Sequence, residues 1–249
     1  MPTGLGDELL WLCPSLDDSP NDLSGNGNNG TYLNGTATVA DSDPTYGGSR
    51  AYNFDGTDDG IRIYDNGVNG GGGPADFMGD GTFSVSAWVK IRNINTGAKA
   101  GPMWGTRQRG GYYGYAGGML PLSNNGTWRY YFSRQDNFTN DQDTYLPSPA
   151  QDTDWHHFCW ASTGGTAKLY VDGVFVTDIG NGTVPTPQEM TSLYFGIGRN
   201  LDYLDGKMDD IRAYDRPLTQ QEIEHLASSR GILGGPGGTH IHRTLLGVG

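Results

Sequence analysis

The sequence predicts an all-β fold: an antiparallel two-sheet sandwich, closed by one short helix and extended by a glycine-rich tail. Short runs alternate apolar and polar residues at a period of two, as strands with one face on a core do, and FSVSAWVKI at residues 83–91 is the cleanest of them. Glycine is abundant, at 41 residues, and Asn-Gly and Asp-Gly pairs punctuate the runs where one strand must turn into the next. Helical spacing of apolar residues shows in one stretch near the C-terminus, LTQQEIEHL at 218–226.

In chain order, residues 9–13 (LLWLC) read as a first strand. The loop SGNGNNG at 24–30 formally matches G-x-G-x-x-G through Gly25, Gly27 and Gly30. A dinucleotide site needs a helix opening there. Residues 31–35 are instead TYLNG, a strand and another turn, which excludes that reading. Residues 52–54 and 61–64 are short strands around an Asp-rich turn at 55–59, and the glycines at 70–73 form an exposed loop. In 83–91, Phe83, Val85, Ala87, Val89 and Ile91 take one face and Ser84, Ser86, Trp88 and Lys90 the other, which predicts a half-buried strand. Residues 102–138 are rich in aromatics, Arg and Gly. Residues 155–161 and 167–171 are strands, Asp172-Gly173 is a two-residue hairpin turn into 174–177, and 193–197 precedes the closing element.

That element, GKMDDIRAYDRPLTQQEIEHL at 206–226, reads as strand, turn and helix. Ile211 and Ala213 share one face, Arg212 and Tyr214 the other. Met208 is out of phase with Ile211, which predicts a bulge near Asp209 and Asp210. Pro217 ends the strand, Thr219 opens a capping box with Glu222, Leu218 can staple against Ile223, and Leu226 shares its helical face. The stretch resembles the closing strand and helix of laminin-G-like domains, members of the concanavalin A-like lectin/glucanase superfamily. The likeness recurs in DLSGNGNNGT (22–31), YNFDGTDDGIRI (52–63), FSVSAWVK (83–90), WHHFCW (155–160) and AKLYVDG (167–173), and covers residues 9–226. The resemblance implies a concanavalin A-like jelly roll, with a laminin-G-like domain at 1–229 and a glycine-rich C-terminal arm at 230–249. That fold hosts lectins, enzymes and adhesion modules, so function has to come from the residues.

Composition narrows the choice. A net charge of −12 argues against nucleic acid, whose phosphates need a basic face. No apolar run reaches the length of a membrane span, and the start MPTGLGDELLWLCPS has neither a basic n-region nor a long apolar h-region, so no signal peptide is expected. Of five Asn-x-Thr sequons, four are Asn-Gly and read as turns. Cys13 and Cys159 sit in apolar runs as buried thiols, and two cysteines do not make a disulfide framework.

The hydrolases that the resemblance brings in carry a Glu-x-Asp-x-Glu strand, and this chain has none. Its close pair, Glu222 and Glu224, falls on the terminal helix, and His156 and His157 have no Ser or Cys nucleophile signature beside them. A non-catalytic module is expected. Laminin-G-like domains often hold one calcium near the sandwich rim, and the resemblance implies Asp22, Asn26 and Asn28 with Asp209 or Asp210 as its oxygen ligands; the same residues also cap turns. His240 and His242 lack further ligands for zinc. Trp104, Arg107, Arg109, Tyr112, Tyr113, Trp128 and Tyr130 form the candidate carbohydrate-binding set, since aromatic faces stack on sugar C–H faces while Arg bonds hydroxyls. The same residue types equally pack a sandwich or a subunit interface. Leu245, Leu246 and Val248 end an arm that has no use for them inside a sandwich, so they are expected to be buried against another subunit, with a strand added to an exposed edge.

The expected function is a non-catalytic structural or binding module: a decoration-type or fibre-type surface component of a bacteriophage virion. The arm would anchor it to other capsid or tail subunits or to a second copy, with glycans as further partners. The virion reconciles a family met outside cells with a chain that shows no export signal. The alternative is a carbohydrate-binding or adhesion module of a secreted bacterial protein.

Overall fold

The computed structural model describes residues 5–41, 50–64, 78, 81–92, 101–108, 113–121, 128–136, 140–147, 152–164, 166–180, 190–198 and 203–228. Within them the chain forms two antiparallel sheets and one helix. The first sheet runs β13 (Val174–Gly180), β12 (Thr166–Val171), β11 (Trp155–Thr163), β6 (Thr82–Ile91), β15 (Asp205–Tyr214), β4 (Arg50–Asp55), β3 (Ala37–Ala40), with β1 (Leu10–Leu12) also paired to β15. The second runs β10 (Asn140–Pro147), β9 (Trp128–Asp136), β8 (Tyr113–Pro121), β7 (Gly101–Gln108), β14 (Met190–Phe195), β5 (Gly60–Tyr64), β2 (Gly30–Leu33).

The period-two pattern decides which side chains enter the space between the sheets. Phe83, Val85, Ala87, Val89 and Ile91 of β6 point into it, with Phe158 and Trp160 of β11 and Leu10 and Leu12 of β1. From the opposite sheet come Ile61, Ile63, Trp104, Leu193 and Phe195. β15 carries the expected bulge: its register against β6 slips between Asp209 and Arg212, and Asp210 takes a positive φ of 46°. The extra residue brings Met208 and Ile211 to the same core despite their phase. The bulge also divides β15 between two partners, with Asp205 to Met208 opposite β4 and Ile211 to Ala213 opposite β1.

The other face of β6 departs from expectation. Ser84, Ser86 and Trp88 are buried, because the outside of the first sheet is covered rather than wet. Helix α1 (Gln220–Ala227) lies there, and its Ile223 and Leu226 join Leu218 in a second cluster with Cys159, Ala161, Tyr170 and Tyr214. Ser84 serves that junction: its hydroxyl accepts the Leu218 N–H at 2.8 Å and donates to the Arg216 carbonyl at 2.8 Å. The capping box is present, with the Glu222 carboxylate accepting the Thr219 N–H at 2.8 Å. The described parts of 102–138, a range read only as a composition, belong to β7, β8 and β9, which with β10 make an antiparallel meander of four of the second sheet's seven strands.

Candidate carbohydrate-binding face

The outer face of the second sheet is where strand alternation places aromatic and cationic side chains away from the core. In β5 (GIRIY), Ile61 and Ile63 go inward, so Arg62 and Tyr64 go outward; in β14, Leu193 and Phe195 go inward, so Ser192 and Tyr194 go outward. Pairing aligns them in two rows. Thr31, Arg62, Tyr194 and Gly105 are successive Cα partners across β2, β5, β14 and β7, and Tyr64, Ser192 and Arg107 form the adjacent row. Strands lie about 4.8 Å apart, so Tyr64 and Arg107 stand about 10 Å from each other across the sheet. The Arg62 guanidinium lies 3.7 Å above the Tyr64 ring centroid, and that of Arg107 is 5.9 Å from the Tyr194 ring centroid. Tyr64 is 46% exposed, while Arg62, Tyr194 and Arg107 are half-buried. Two rings and two guanidinium groups on one sheet face can stack on sugar rings and donate to their oxygens.

Of the carbohydrate-binding set read from the sequence, Arg107 belongs to this face and Trp104 does not. Trp104 is 1% exposed, edge-on to Phe83 at 5.6 Å and to Trp160 at 6.0 Å. It is opposite Phe195 on β14 and Gly117 on β8, and a Cβ at Gly117 would stand 2.6 Å from the indole nitrogen, so glycine there makes room for the ring inside the core. Tyr113 pairs with Arg107 at the start of β8, and Trp128 and Tyr130 lie in β9 opposite Pro121 and Met119; their side chains, and all of Arg109 and Tyr112, fall outside the described residues. Arg62, Tyr64 and Tyr194 are missed by a search for aromatic density. The alternation in GIRIY and SLYF is the signal that marks them.

The rim residues are brought together, but by protein donors. The Asp22 carboxylate accepts the N–H groups of Trp11 (3.0 Å), Ser24 (2.9 Å) and Asn28 (2.9 Å) and the Ser24 hydroxyl (2.8 Å). The Asn26 and Asn28 amides donate to the Glu8 carbonyl at 2.9 Å and the Leu9 carbonyl at 2.7 Å. Asp210 accepts the Trp11 indole N–H at 2.7 Å and Arg212 Nε at 2.9 Å, and Asp209 accepts Ser15 Oγ at 3.1 Å. Trp11 thus ties the loop to the bulge. With both Asp22 oxygens accepting hydrogen bonds and a guanidinium against Asp210, these residues as arranged do not fit a calcium cage. Among the described residues Asp55, Asp58 and Asp59 bring carboxylate oxygens within 4.8 Å of one another in the β4–β5 turn.

Glu222 is taken up by the helix cap and by Arg216, whose Nη2 is 2.7 Å away; that hydrogen bond holds its carboxyl down to about 2. His156 lies between Asp172 (2.7 Å) and Asp152 (2.9 Å), and His157 is buried and neutral, its pKa pushed down to about 4 by loss of water. Cys13 and Cys159 are free and buried. No helix among the described residues is long and apolar enough to cross a membrane. Leu245, Leu246 and Val248, and with them the expected arm contact, lie outside the described residues.

A laminin G-type family model, described as the Concanavalin A-like lectin/glucanases superfamily, matches residues 55–224. No curated protein sequence matches the chain. Among solved structures, domain 4 of AbnA, a GH43 extracellular arabinanase from Geobacillus stearothermophilus in complex with arabinotriose, superposes with a TM-score of 0.60 at 19% identity, over 89% of this chain and 98% of that domain. The binding domain of Paraclostridial Mosquitocidal Protein 1 gives 0.64 at 18% identity over 91% of this chain and 53% of its own length. The binding domain of botulinum neurotoxin DC, in complex with rat synaptotagmin II, gives 0.64 at 15% identity over 90% and 51%. The chain thus spans about half the length of these two toxin domains and nearly the whole of the arabinanase domain.

Proposed function

Since the chain belongs to the concanavalin A-like lectin/glucanase superfamily, we propose that it is a non-catalytic glycan-binding module that takes saccharide on the outer face of its second sheet. The observation that carries this is the exposed Tyr64 ring under Arg62, one strand from Tyr194 and two from Arg107. A domain of the same fold solved with arabinotriose supports the ligand class. Affinity electrophoresis and calorimetry with arabino-oligosaccharides and a panel of glycans test the reading. Tyr64→Ala and Tyr194→Ala should each weaken binding by about 1 kcal/mol, roughly fivefold, with the fold intact. Wild-type protein that retains no glycan of the panel, or binding indifferent to both substitutions, would sink it.

Attachment of the module to other subunits of a virion or comparable assembly is proposed on the tail's composition alone: three large apolar side chains after a glycine-rich arm.

A further inference from the structure

Arg62 differs from four other arginines among the described residues. Arg50 lies 2.7 Å from Asp18, Arg212 lies 2.9 Å from Glu8, Arg216 lies 2.7 Å from Asp7, and Arg92 is paired with Asp205. Arg62 makes no hydrogen bond and no ion pair among the described residues. Its guanidinium rests on the Tyr64 ring, and its Nε, turned from solvent, has no acceptor. The chain has 28 acidic side chains against 16 Lys and Arg, so a cation without a carboxylate partner goes against its own composition. The terminal N–H groups of this half-buried guanidinium have no protein acceptor among the described residues, so they are left to water or to an incoming oxyanion, with which they form charge-assisted hydrogen bonds.

Resting on the glycan-binding reading, we infer that the saccharide is acidic, bearing a carboxylate directly on its ring as a uronic acid does, and that Arg62 receives that carboxylate. The guanidinium is planar and already laid against Tyr64, so less freedom is lost when it pairs. A carboxylate on the ring lies close to the ring's own plane. A sugar lying flat on this sheet can therefore meet the edge of the fork without lifting from the aromatic floor. Arg107, beside Tyr194 in the adjacent row, adds a second positive charge. The net charge of −12 opposes an anion at long range, but the Debye length at physiological salt is about 8 Å, which leaves a contact pair largely unaffected.

The test is calorimetric titration of the full chain with four probes: oligogalacturonate, the same oligomer methyl-esterified, a sulfated oligosaccharide of equal length, and neutral arabino-oligosaccharide. The free acid should bind about tenfold or more tighter than its ester, as one charge-assisted pair requires. Arg62→Gln should erase that preference, so that acid and ester bind alike at whatever affinity remains, and Arg62→Lys should restore part of it; thermal melts of both variants show that the fold is kept. Equal affinity for acid and ester, or a preference untouched by Arg62→Gln, overturns the inference and leaves glycan binding standing. Tighter binding of the sulfated probe than of the carboxylate overturns it as well. Binding of none of the four removes the glycan reading and this inference with it.

Discussion

Arg212 is enclosed by Glu8 and Asp210, and its guanidinium lies 4.4 Å over the Trp11 ring. At 2% exposure it is the buried cation that keeps two buried carboxylates tolerable. Arg212→Ala should therefore destabilise the fold by about 3–5 kcal/mol in urea titration, the cost of leaving uncompensated charge in the interior. On the same rim, Asp22 and Asp210 are saturated by donors, so chelator should leave the melting temperature unchanged. A fall reversed by calcium would show a bound ion, and its loss in Asp22→Ala rather than in Asp58→Ala would put that ion at the rim and not at the Asp55, Asp58 and Asp59 cluster. His156 supplies the pH dependence. Burial alone would lower its pKa, but the hydrogen bonds to Asp172 and Asp152 prevail and raise it to about 9. A raised folded-state pKa means the protonated imidazolium stabilises the fold fully below its unfolded value, about 6.5, and the contribution is lost as pH rises to about 9. Melting temperature should fall over that window, and His156→Gln should flatten the fall.

Helix α1 is short, so its start matters more than its propensity. Thr219→Ala removes the acceptor for the Glu222 N–H and should cost about 1 kcal/mol, read as a lower denaturation midpoint at unchanged slope. This helix was legible in the sequence because capping box and staple are local. So was the bulge of β15, because Met208 and Ile211 cannot reach one core in an unbroken strand. Two things were not legible. β7 to β10 pair through a meander whose register depends on partners in other strands, and glycines such as Gly117 are chosen for the side chain opposite them. The solvent face expected for Ser84, Ser86 and Trp88 is instead buried because its cover comes from α1 and other distant segments, which no window around β6 contains. For the binding face, aromatic density pointed to Trp104, a core residue, whereas plain alternation in β5 and β14 marks Arg62, Tyr64 and Tyr194, which reach water.

Across the whole molecule, the buried residues of the two larger clusters run from Leu10 to Leu226. Removing residues 231–249 should leave melting temperature and solubility unchanged. Light scattering then tests whether the arm joins copies of this chain: an oligomer that survives the truncation rules the arm out as their anchor. The division of β15 between β4 and β1 has a further consequence, for how the chain reaches its fold. Trp11 and Asp210, hydrogen-bonded at 2.7 Å, are 199 positions apart, and Leu10–Leu12 has no strand partner except β15 among the described residues. During synthesis the first strand is exposed long before its mate exists, and the sandwich closes only when the C-terminal strand arrives between β6 and β4. Contacts this distant make for slow folding, in milliseconds to seconds rather than microseconds. Until Tyr214 has left the ribosome, the nascent chain carries an unpaired Leu-Trp-Leu strand that must be kept from pairing with a neighbour.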